Sequence, residues 1–165
     1  MNPASASPDL LPALGLSWGI KRSFIEYINS LPDGSVSATD GATVAEPSLF
    51  RFSPESSDYD VERGTGVLRF RGDVRLAGHH GMLLVRLLDP WITFTAGSGV
   101  LSISTGDGQD RTAVGFLTPS KARAADGSLV WEHVDVVISP EGSDLFDGQY
   151  AAGQPMDPLF IRVAT

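Results

Sequence analysis

The chain has no cysteine among its 165 residues. Without thiolates it cannot form disulfides, use a cysteine nucleophile, or hold zinc, an iron–sulfur cluster or haem through sulfur. No apolar run approaches the roughly 18 residues of a membrane-spanning helix. The sequence also lacks a Gly-x-Ser-x-Gly elbow, a P-loop and a His-Glu-x-x-His motif. These absences exclude the corresponding classes of enzyme, metalloprotein and membrane protein.

Positive charge is scarce, with 12 Lys and Arg against 20 Asp and Glu and a net charge of -8. Duplex DNA and anionic membranes bind basic surfaces, so neither is an expected partner. Arg69, Arg71 and Arg75 nevertheless alternate within one short segment, and Lys21 and Arg22 lie together further upstream. These cations could form a rim that receives a small anion, or they could be ordinary solvated charges.

The first residues carry little sign of regular structure, because Pro3, Pro8 and Pro12 interrupt them. We predict a flexible leader over residues 1–15 and a single domain over residues 16–165. The leader has no basic stretch followed by an apolar core, so it does not resemble a secretory signal. We therefore expect either a protein that stays inside the cell or a mature or excised piece of a longer one.

A helix is predicted over residues 18–31, with Ser17 as its N-cap and a turn at residues 32–34. Apolar side chains recur at helical spacing in this segment, which is typical of a helix lying on a core. They are Ile20, Phe24, Tyr27, Ile28 and Leu31. Tyr27 lies in the middle of this stripe. It is therefore either a packed core tyrosine or a ligand for something that binds there.

The rest of the chain is predicted to be mainly β, with about ten short strands. Residues 67–76 form the clearest strand, with apolar side chains on one face and Arg69, Arg71, Asp73 and Arg75 on the solvated face. The expected strands are residues 35–46 (one or two), 49–52, 67–76, 82–88 (a central strand), 91–95, 100–105, 113–117, 128–138 and 160–163, with a helical turn at 140–146. This pattern favours an antiparallel β-sandwich or flattened barrel with one N-terminal helix.

Histidines offer a second candidate for site chemistry. His79 and His80 lie between glycines in a predicted turn, and adjacent side chains point in opposite directions, so one should face inward. Both could equally be surface residues, and His133 is expected on a solvated strand face. Asp58 and Asp60 lack the further oxygen ligands of a calcium loop, so we interpret them as solvated.

Four motifs occur in order along the chain. They are Ser17-Trp18-Gly19-Ile20-Lys21 with Ser23-Phe24 and Tyr27; Asp58-Tyr59-Asp60; Gly78-His79-His80-Gly81 with alternating leucines and Asp89-Pro90; and Tyr150-Ala151-Ala152-Gly153-Gln154-Pro155-Met156-Asp157-Pro158. In this order they resemble the HtaA domain, a haem-binding module of actinobacterial haem-uptake proteins. The resemblance covers about residues 16–163, and Met156 stands where the family often has leucine.

The resemblance implies a β-rich domain that binds ferric haem (ferric protoporphyrin IX). It assigns the axial ligand to Tyr27 and the supporting histidine to His79 rather than His80. It also implies a place on the cell envelope and partners such as other haem-relay proteins or a haem transporter. A phenolate is a hard anionic ligand that suits ferric iron, and a donated imidazole N–H would stabilise it.

A porphyrin plane needs apolar walls, and its propionates need water or cations. The candidate walls are Ile20, Phe24 and Ile28 on the helix, with Phe70, Met82 or Leu84 nearby, and Lys21 is among the candidate cations. Two other functions stay open. In one, the chain is a haem enzyme, since catalase also uses a tyrosine ligand. In the other, it is a structural or adhesive β-domain without a cofactor.

Overall fold

The computed structural model describes residues 12–46 and 48–165. In that part of the chain we find thirteen strands and two short α-helices. The strands are β1 (Gly15–Trp18), β2 (Ser35–Thr39), β3 (Ala42–Glu46), β4 (Leu49–Ser57), β5 (Gly66–Arg71), β6 (Asp73–Gly78), β7 (Leu83–Leu88), β8 (Trp91–Thr95), β9 (Ser98–Ser104), β10 (Arg111–Thr118), β11 (Arg123–Ala125), β12 (Ser128–Ile138) and β13 (Leu159–Ala164). The helices are α1 (Arg22–Ser30) and α2 (Pro140–Leu145). Residues 1–11, most of the predicted leader, lie outside the described residues.

Eight of the strands form a closed antiparallel barrel. Their order is β1-β13-β12-β10-β9-β8-β5-β4, and β1 pairs with β4 to complete the ring. β3 adds to β4, and β11 adds to β12. A separate sheet of three strands has the order β2-β6-β7. The mainly β, antiparallel prediction is therefore confirmed, and its sandwich-or-barrel alternative is replaced by a closed barrel with a small second sheet.

Aromatic side chains supply much of the interior. Trp18, Phe50, Phe52, Phe70 and Trp131 are all fully buried. A closed barrel leaves no unpaired strand edge in the ring. It also turns one face of each strand inward, where these apolar side chains are buried. The single core cluster also includes the buried side chains of α1, so the helix and the barrel share one interior.

The segment predicted as one strand, residues 67–76, is two strands in different sheets. Gly72 separates β5 in the barrel from β6 in the small sheet, and its φ is +155°. A Cβ at this position would lie 2.5 Å from the Cβ of Ala42 and 2.8 Å from Cδ2 of Phe52. Only glycine fits such a close approach, so the chain can change sheets there.

The change of sheet also alters the environment of Asp73, which was expected on a solvated face. Its side chain is only 2% exposed and contacts two arginines, with Arg75 Nη2 at 3.0 Å and Arg86 Nη2 at 2.9 Å from Oδ2. Burial raises the pKa of this carboxyl, but hydrogen bonds and charges from Arg86 and Arg75 outweigh burial and hold the pKa below its ordinary value. Arg75 therefore pairs with Asp73 and does not contribute a free cation to the basic rim considered above. Arg69 is also paired, because its Nη1 lies 3.5 Å from Oδ2 of Asp58.

Other predictions have mixed outcomes. The β8–β9 hairpin, the long strand β12 and the helical turn, now α2, are confirmed. The expected central strand at residues 82–88 is instead β7, an edge strand of the small sheet. The helix predicted over residues 18–31 begins only at Arg22, because Ser17 and Trp18 belong to β1. Neither helix in the described ranges has the length and apolar character to cross a membrane.

The Asp73 cluster generates a prediction about acid stability. Replacing Asp73 with Asn should lower the free energy of unfolding by about 2 kcal/mol near pH 7, because charge-assisted hydrogen bonds are lost. A carboxyl whose pKa is lowered by folding stabilises the fold above its unfolded-state pKa and loses that contribution as the pH falls. The deficit of the variant should therefore shrink below pH 3.8, the ordinary carboxyl value. Urea unfolding at several pH values measures this, with Asp107→Asn as the exposed control.

Candidate functional site

Helix α1 presents one side chain of the expected stripe to solvent. Phe24, Ile25 and Ile28 are buried, whereas Tyr27 is 40% exposed. Of the two alternatives for Tyr27, the packed core tyrosine is therefore wrong. Ile25, which the predicted stripe left out, joins Phe24 and Ile28 on the buried face, so Tyr27 lies at the edge of that face. Residues i and i+4 share a helix face, which puts Ser23 beside Tyr27 on the exposed side.

The start of α1 is held by a distant residue. Its N-cap, Lys21, makes no side-chain capping hydrogen bond. Instead Oδ1 of Asp157 accepts the backbone N–H of Arg22 at 3.2 Å, and the Asp157 backbone N–H donates to the carbonyl of Ile20 at 2.9 Å. The carboxylate also packs over Gly19, where a Cβ would lie 2.5 Å from Oδ2. Asp157 thus caps the helix from the C-terminal segment and fixes where it begins.

The exposed phenol of Tyr27 contacts a histidine from another element. Tyr27 Oη lies 2.6 Å from Nε2 of His79, and the two ring centroids are 5.8 Å apart. The two residues are 52 positions apart in sequence. The structure therefore brings together the two side chains to which the sequence analysis assigned the site.

His79 and His80 lie in a 3-10 turn, His79–Gly81, between β6 and β7. Both adopt left-handed backbone conformations, with φ of 51° and 56°. Neither histidine is buried, so of the two alternatives the one with both histidines at the surface is confirmed and the one with an inward-facing histidine is wrong. His80 is 94% exposed at its side chain and its backbone N–H donates to the carboxylate of Asp33. His79 alone reaches Tyr27.

Aromatic residues from the C-terminal part of the chain pack against the buried face of α1. The ring of Phe24 packs edge-on against Phe146, 5.2 Å between centroids, and against Tyr150 at 6.0 Å. Tyr150 Oη also lies 3.2 Å from Ser23 Oγ. Local sequence pattern does not predict this pair of hydroxyls, although the four-residue spacing of Ser23 and Tyr27 places Ser23 on the same face of the helix.

The other predicted site residues lie at different depths. Ile20, Phe24 and Ile28 are fully or almost fully buried, so in this conformation they offer no surface to a bound molecule. Ile20 precedes the helix and has a φ of 66°, which is unusual for a β-branched residue. Lys21 Nζ donates to the carbonyl of Pro155 at 2.7 Å and lies 5.2 Å from the centre of the Tyr150 ring.

Two apolar side chains lie exposed near the 3-10 turn. Met82, whose N–H donates to the carbonyl of His79, is 87% exposed, and Leu84 on β7 is 57% exposed. Leu84 also lines an open groove of about 290 Å³, which it shares with Arg86, Ile103, Ser104, Thr105, Thr112 and Leu145. Phe70, the third nearby candidate, is buried in the barrel. Met82 and Leu84 thus expose apolar surface in the chain segment that follows His79.

The arrangement can supply one anionic oxygen ligand with an imidazole beside it. A phenol that loses its proton becomes a hard donor for ferric iron, and a neighbouring ring N–H can donate to the resulting anion. In the described ranges no three His, Asp or Glu residues come together at metal-binding distance. A metal held here would therefore need most of its ligands from elsewhere, as iron has in a porphyrin.

A family model described as Htaa matches residues 13–162. The structure resembles the C-terminal domain of HtaA from Corynebacterium glutamicum with a TM-score of 0.76, 29% identity, and coverage of 92% of this chain and 97% of that one. No curated protein matches the chain.

Two further solved structures show likeness of fold. The N-terminal domain of HtaA from the same organism has a TM-score of 0.74 and 20% identity, with 91% of this chain and 96% of that one covered. The heme binding protein HtaB from Corynebacterium glutamicum has a TM-score of 0.68 and 14% identity, with 90% and 91% covered.

The tertiary cap generates a prediction for the helix that carries Tyr27. Asp157→Ala should lower the free energy of unfolding by about 1 kcal/mol, the usual cost of losing a helix cap. Asp157→Asn should cost less, because its amide oxygen can still accept the Arg22 N–H. Urea unfolding followed by circular dichroism measures both. Equal stability of the wild type and Asp157→Ala would contradict the capping role.

Proposed function

We propose that this chain, which belongs to the HtaA family, binds haem at the exposed face of α1 and holds the ferric iron through Oη of Tyr27. The observation that carries the proposal is the 2.6 Å contact between Tyr27 Oη and His79 Nε2. The contact is accessible from solvent at Tyr27, so a planar ligand could reach it without unfolding the core. The 29% identical HtaA domain supports the assignment, as does the fold shared with a protein named for heme binding.

The residues around the contact fit such a ligand. Met82 and Leu84 are exposed apolar side chains in the segment that follows the His79 turn. The propionates would find cations at Lys21, which has unused donors after its bond to Pro155, and at Arg22, whose exposed side chain lies 3.3 Å from Glu26. In this proposal Ile20, Phe24 and Ile28 support the site by anchoring the helix and do not form its walls.

Ligation by Tyr27 would displace its phenol proton, and His79 would stabilise the anion that remains. An ordinary phenol is protonated at neutral pH, so Tyr27 would release this proton to the surrounding water, to which its side chain is exposed. Ferric iron, when bound, supplies the positive charge that favours the phenolate. With its Nε2–H tautomer, His79 would donate to the same oxygen and so stabilise the anion and fix the ring. Acid should weaken this bond by returning a proton to the oxygen.

An oxygen ligand on an accessible helix face suits a carrier. Phenolate favours ferric over ferrous iron, so reduction or acidification would loosen the cargo and allow transfer. We propose uptake, relay or storage of haem without chemical turnover. Membership of a haem-relay chain, with a further haem protein or a transporter as partner, is part of the same proposal.

The first test removes one oxygen atom. Tyr27→Phe should raise the apparent dissociation constant for hemin by at least about tenfold and change the visible spectrum of any hemin still bound, because the anionic ligand is gone. Absorbance titration of the apo protein with hemin measures both. Tyr59→Phe is the matched control, since Tyr59 packs against Phe94 and Trp131 away from α1.

Three outcomes would contradict this function. An unchanged spectrum and affinity in Tyr27→Phe would remove Tyr27 as the ligand. A wild-type protein that stays colourless in excess hemin would instead favour a structural domain without a cofactor. If the hemin-loaded protein catalysed peroxide-dependent oxidation of a substrate faster than free hemin does, an enzymatic role would replace the carrier role.

The second test separates the two histidines. His79→Asn should weaken hemin binding about tenfold and shift the visible spectrum without abolishing binding, because a supporting partner and not the ligand is lost. Asn tolerates the left-handed backbone at this position. His80→Asn, its neighbour in the same turn, should leave both nearly unchanged. Equal effects of the two substitutions on the absorbance titration would argue against a specific role for His79.

A further inference from the structure

The turn that carries His79 has little to hold it in place. Its three residues, His79–Gly81, include no buried side chain. Two consecutive non-glycine residues adopt positive φ there, a conformation that L-residues avoid unless contacts outside the turn enforce it. Within the turn, one backbone hydrogen bond runs from Met82 N–H to the carbonyl of His79 at 3.1 Å. Contacts from outside are therefore needed to keep the imidazole directed at Tyr27.

Asp33 supplies such a contact. Its carboxylate accepts the backbone N–H of His80, and Oδ2 lies 3.7 Å from Nδ1 of the same residue. That N–H is the main cause of a lowered pKa at the Asp33 carboxyl, with smaller lowering contributions from its own N–H, the His80 charge and the His79 N–H, against a raising effect of burial. The carboxylate thus lies against the peptide that joins the two histidines.

Asp33 is also fixed relative to Tyr27. It follows the C-cap of α1, Leu31, by two residues, and Gly34 N–H donates to the Leu31 carbonyl at 3.1 Å. A Cβ at Gly34 would collide with the carbonyl oxygen of Ile28, so the chain leaves the helix in close contact with its last turn. The carboxylate therefore belongs to the same rigid unit as the tyrosine.

We propose that Asp33 is a positioning residue, whose carboxylate holds the His80 backbone N–H and thereby keeps His79 Nε2 against the Tyr27 hydroxyl. α1 and the 3-10 turn are then joined by two bridges, one through side chains and one from a carboxylate to the backbone. The geometry of this brace exists without any ligand. Its value for haem binding rests on the function proposed above, whereas its effect on His79 does not.

The test compares three single variants with the wild type. Asp33→Ala removes the acceptor, and Asp33→Asn keeps an acceptor oxygen in nearly the same place. Asp107→Ala removes an exposed carboxylate from the turn between β9 and β10 and is the matched control. The melting temperature and the oligomeric state of each variant are compared with those of the wild type. This comparison shows whether the variant still folds and assembles like the wild type.

The first readout needs no haem. Imidazole ¹H–¹⁵N spectra of the apo protein report the surroundings of His79 Nε2, and Tyr27→Phe defines how its signals look when the partner hydroxyl is missing. We expect the His79 signals of Asp33→Ala to move towards those of Tyr27→Phe, and those of Asp33→Asn and Asp107→Ala to stay near the wild type. Wild-type His79 signals in Asp33→Ala would overturn the proposal, as would equal displacement in Asp33→Ala and Asp33→Asn.

The second readout is the rate at which bound hemin is lost to an excess of apo-myoglobin. Asp33→Ala should release hemin about tenfold faster than the wild type, the usual size of an effect that acts through a ligand's partner, and Asp33→Asn should release it at nearly the wild-type rate. If the wild type binds no hemin but the His79 signals respond as expected, the brace stands and the haem function fails. If hemin binds through Tyr27 but substitution of Asp33 changes neither the His79 signals nor the release rate, the positioning role of Asp33 is wrong and the haem-binding function stands.

Discussion

The packing of α1 against the end of β6 is the constraint on which the site depends. Gly78 ends β6, and a Cβ there would lie 2.5 Å from Cδ1 of Leu31 and 3.9 Å from Cδ1 of Ile28. The absence of that Cβ lets the helix approach the strand closely. Since His79 follows Gly78 directly and Tyr27 precedes Ile28 directly, this approach brings the imidazole and the phenol close enough to meet.

Three carboxylates make the arrangement rigid without belonging to the core of apolar side chains. Asp157 caps the start of α1, Asp33 joins its end to the turn that carries His79, and Asp73 pairs with Arg75 and Arg86 within the β6–β7 hairpin. Each accepts hydrogen bonds from groups distant in sequence or on a neighbouring strand. Short helices and a three-stranded sheet are only weakly stable on their own. In this acidic chain, with its net charge of -8, these three carboxylates help to hold such elements in place.

Helix α1 divides its side chains between the core and the solvent. Phe24, Ile25 and Ile28 join the core, and Tyr27 and Ser23 face outward. In the proposed function the exposed phenol is a ligand that the anchored helix already orients, so little conformational entropy would be lost on binding. In that proposal, exposure also leaves the ligand accessible for removal, which suits a carrier better than a permanent cofactor site.

The sequence alone was sufficient for the mainly β class and for most strands, because alternation and turn residues are local properties of the chain. The family resemblance of its short motifs added Tyr27 and His79 as the candidate pair. It did not predict that residues 67–76 change sheets at Gly72, that Asp73 is buried, or that α1 begins at Arg22 under the cap of Asp157. Each of these depends on atoms far away in sequence, such as Ala42 beside Gly72 and Asp157 beside Arg22. Local pattern therefore determined which side chains were candidates. Only the tertiary structure, through close backbone approaches and carboxylates donated from other segments, decided which of them meet.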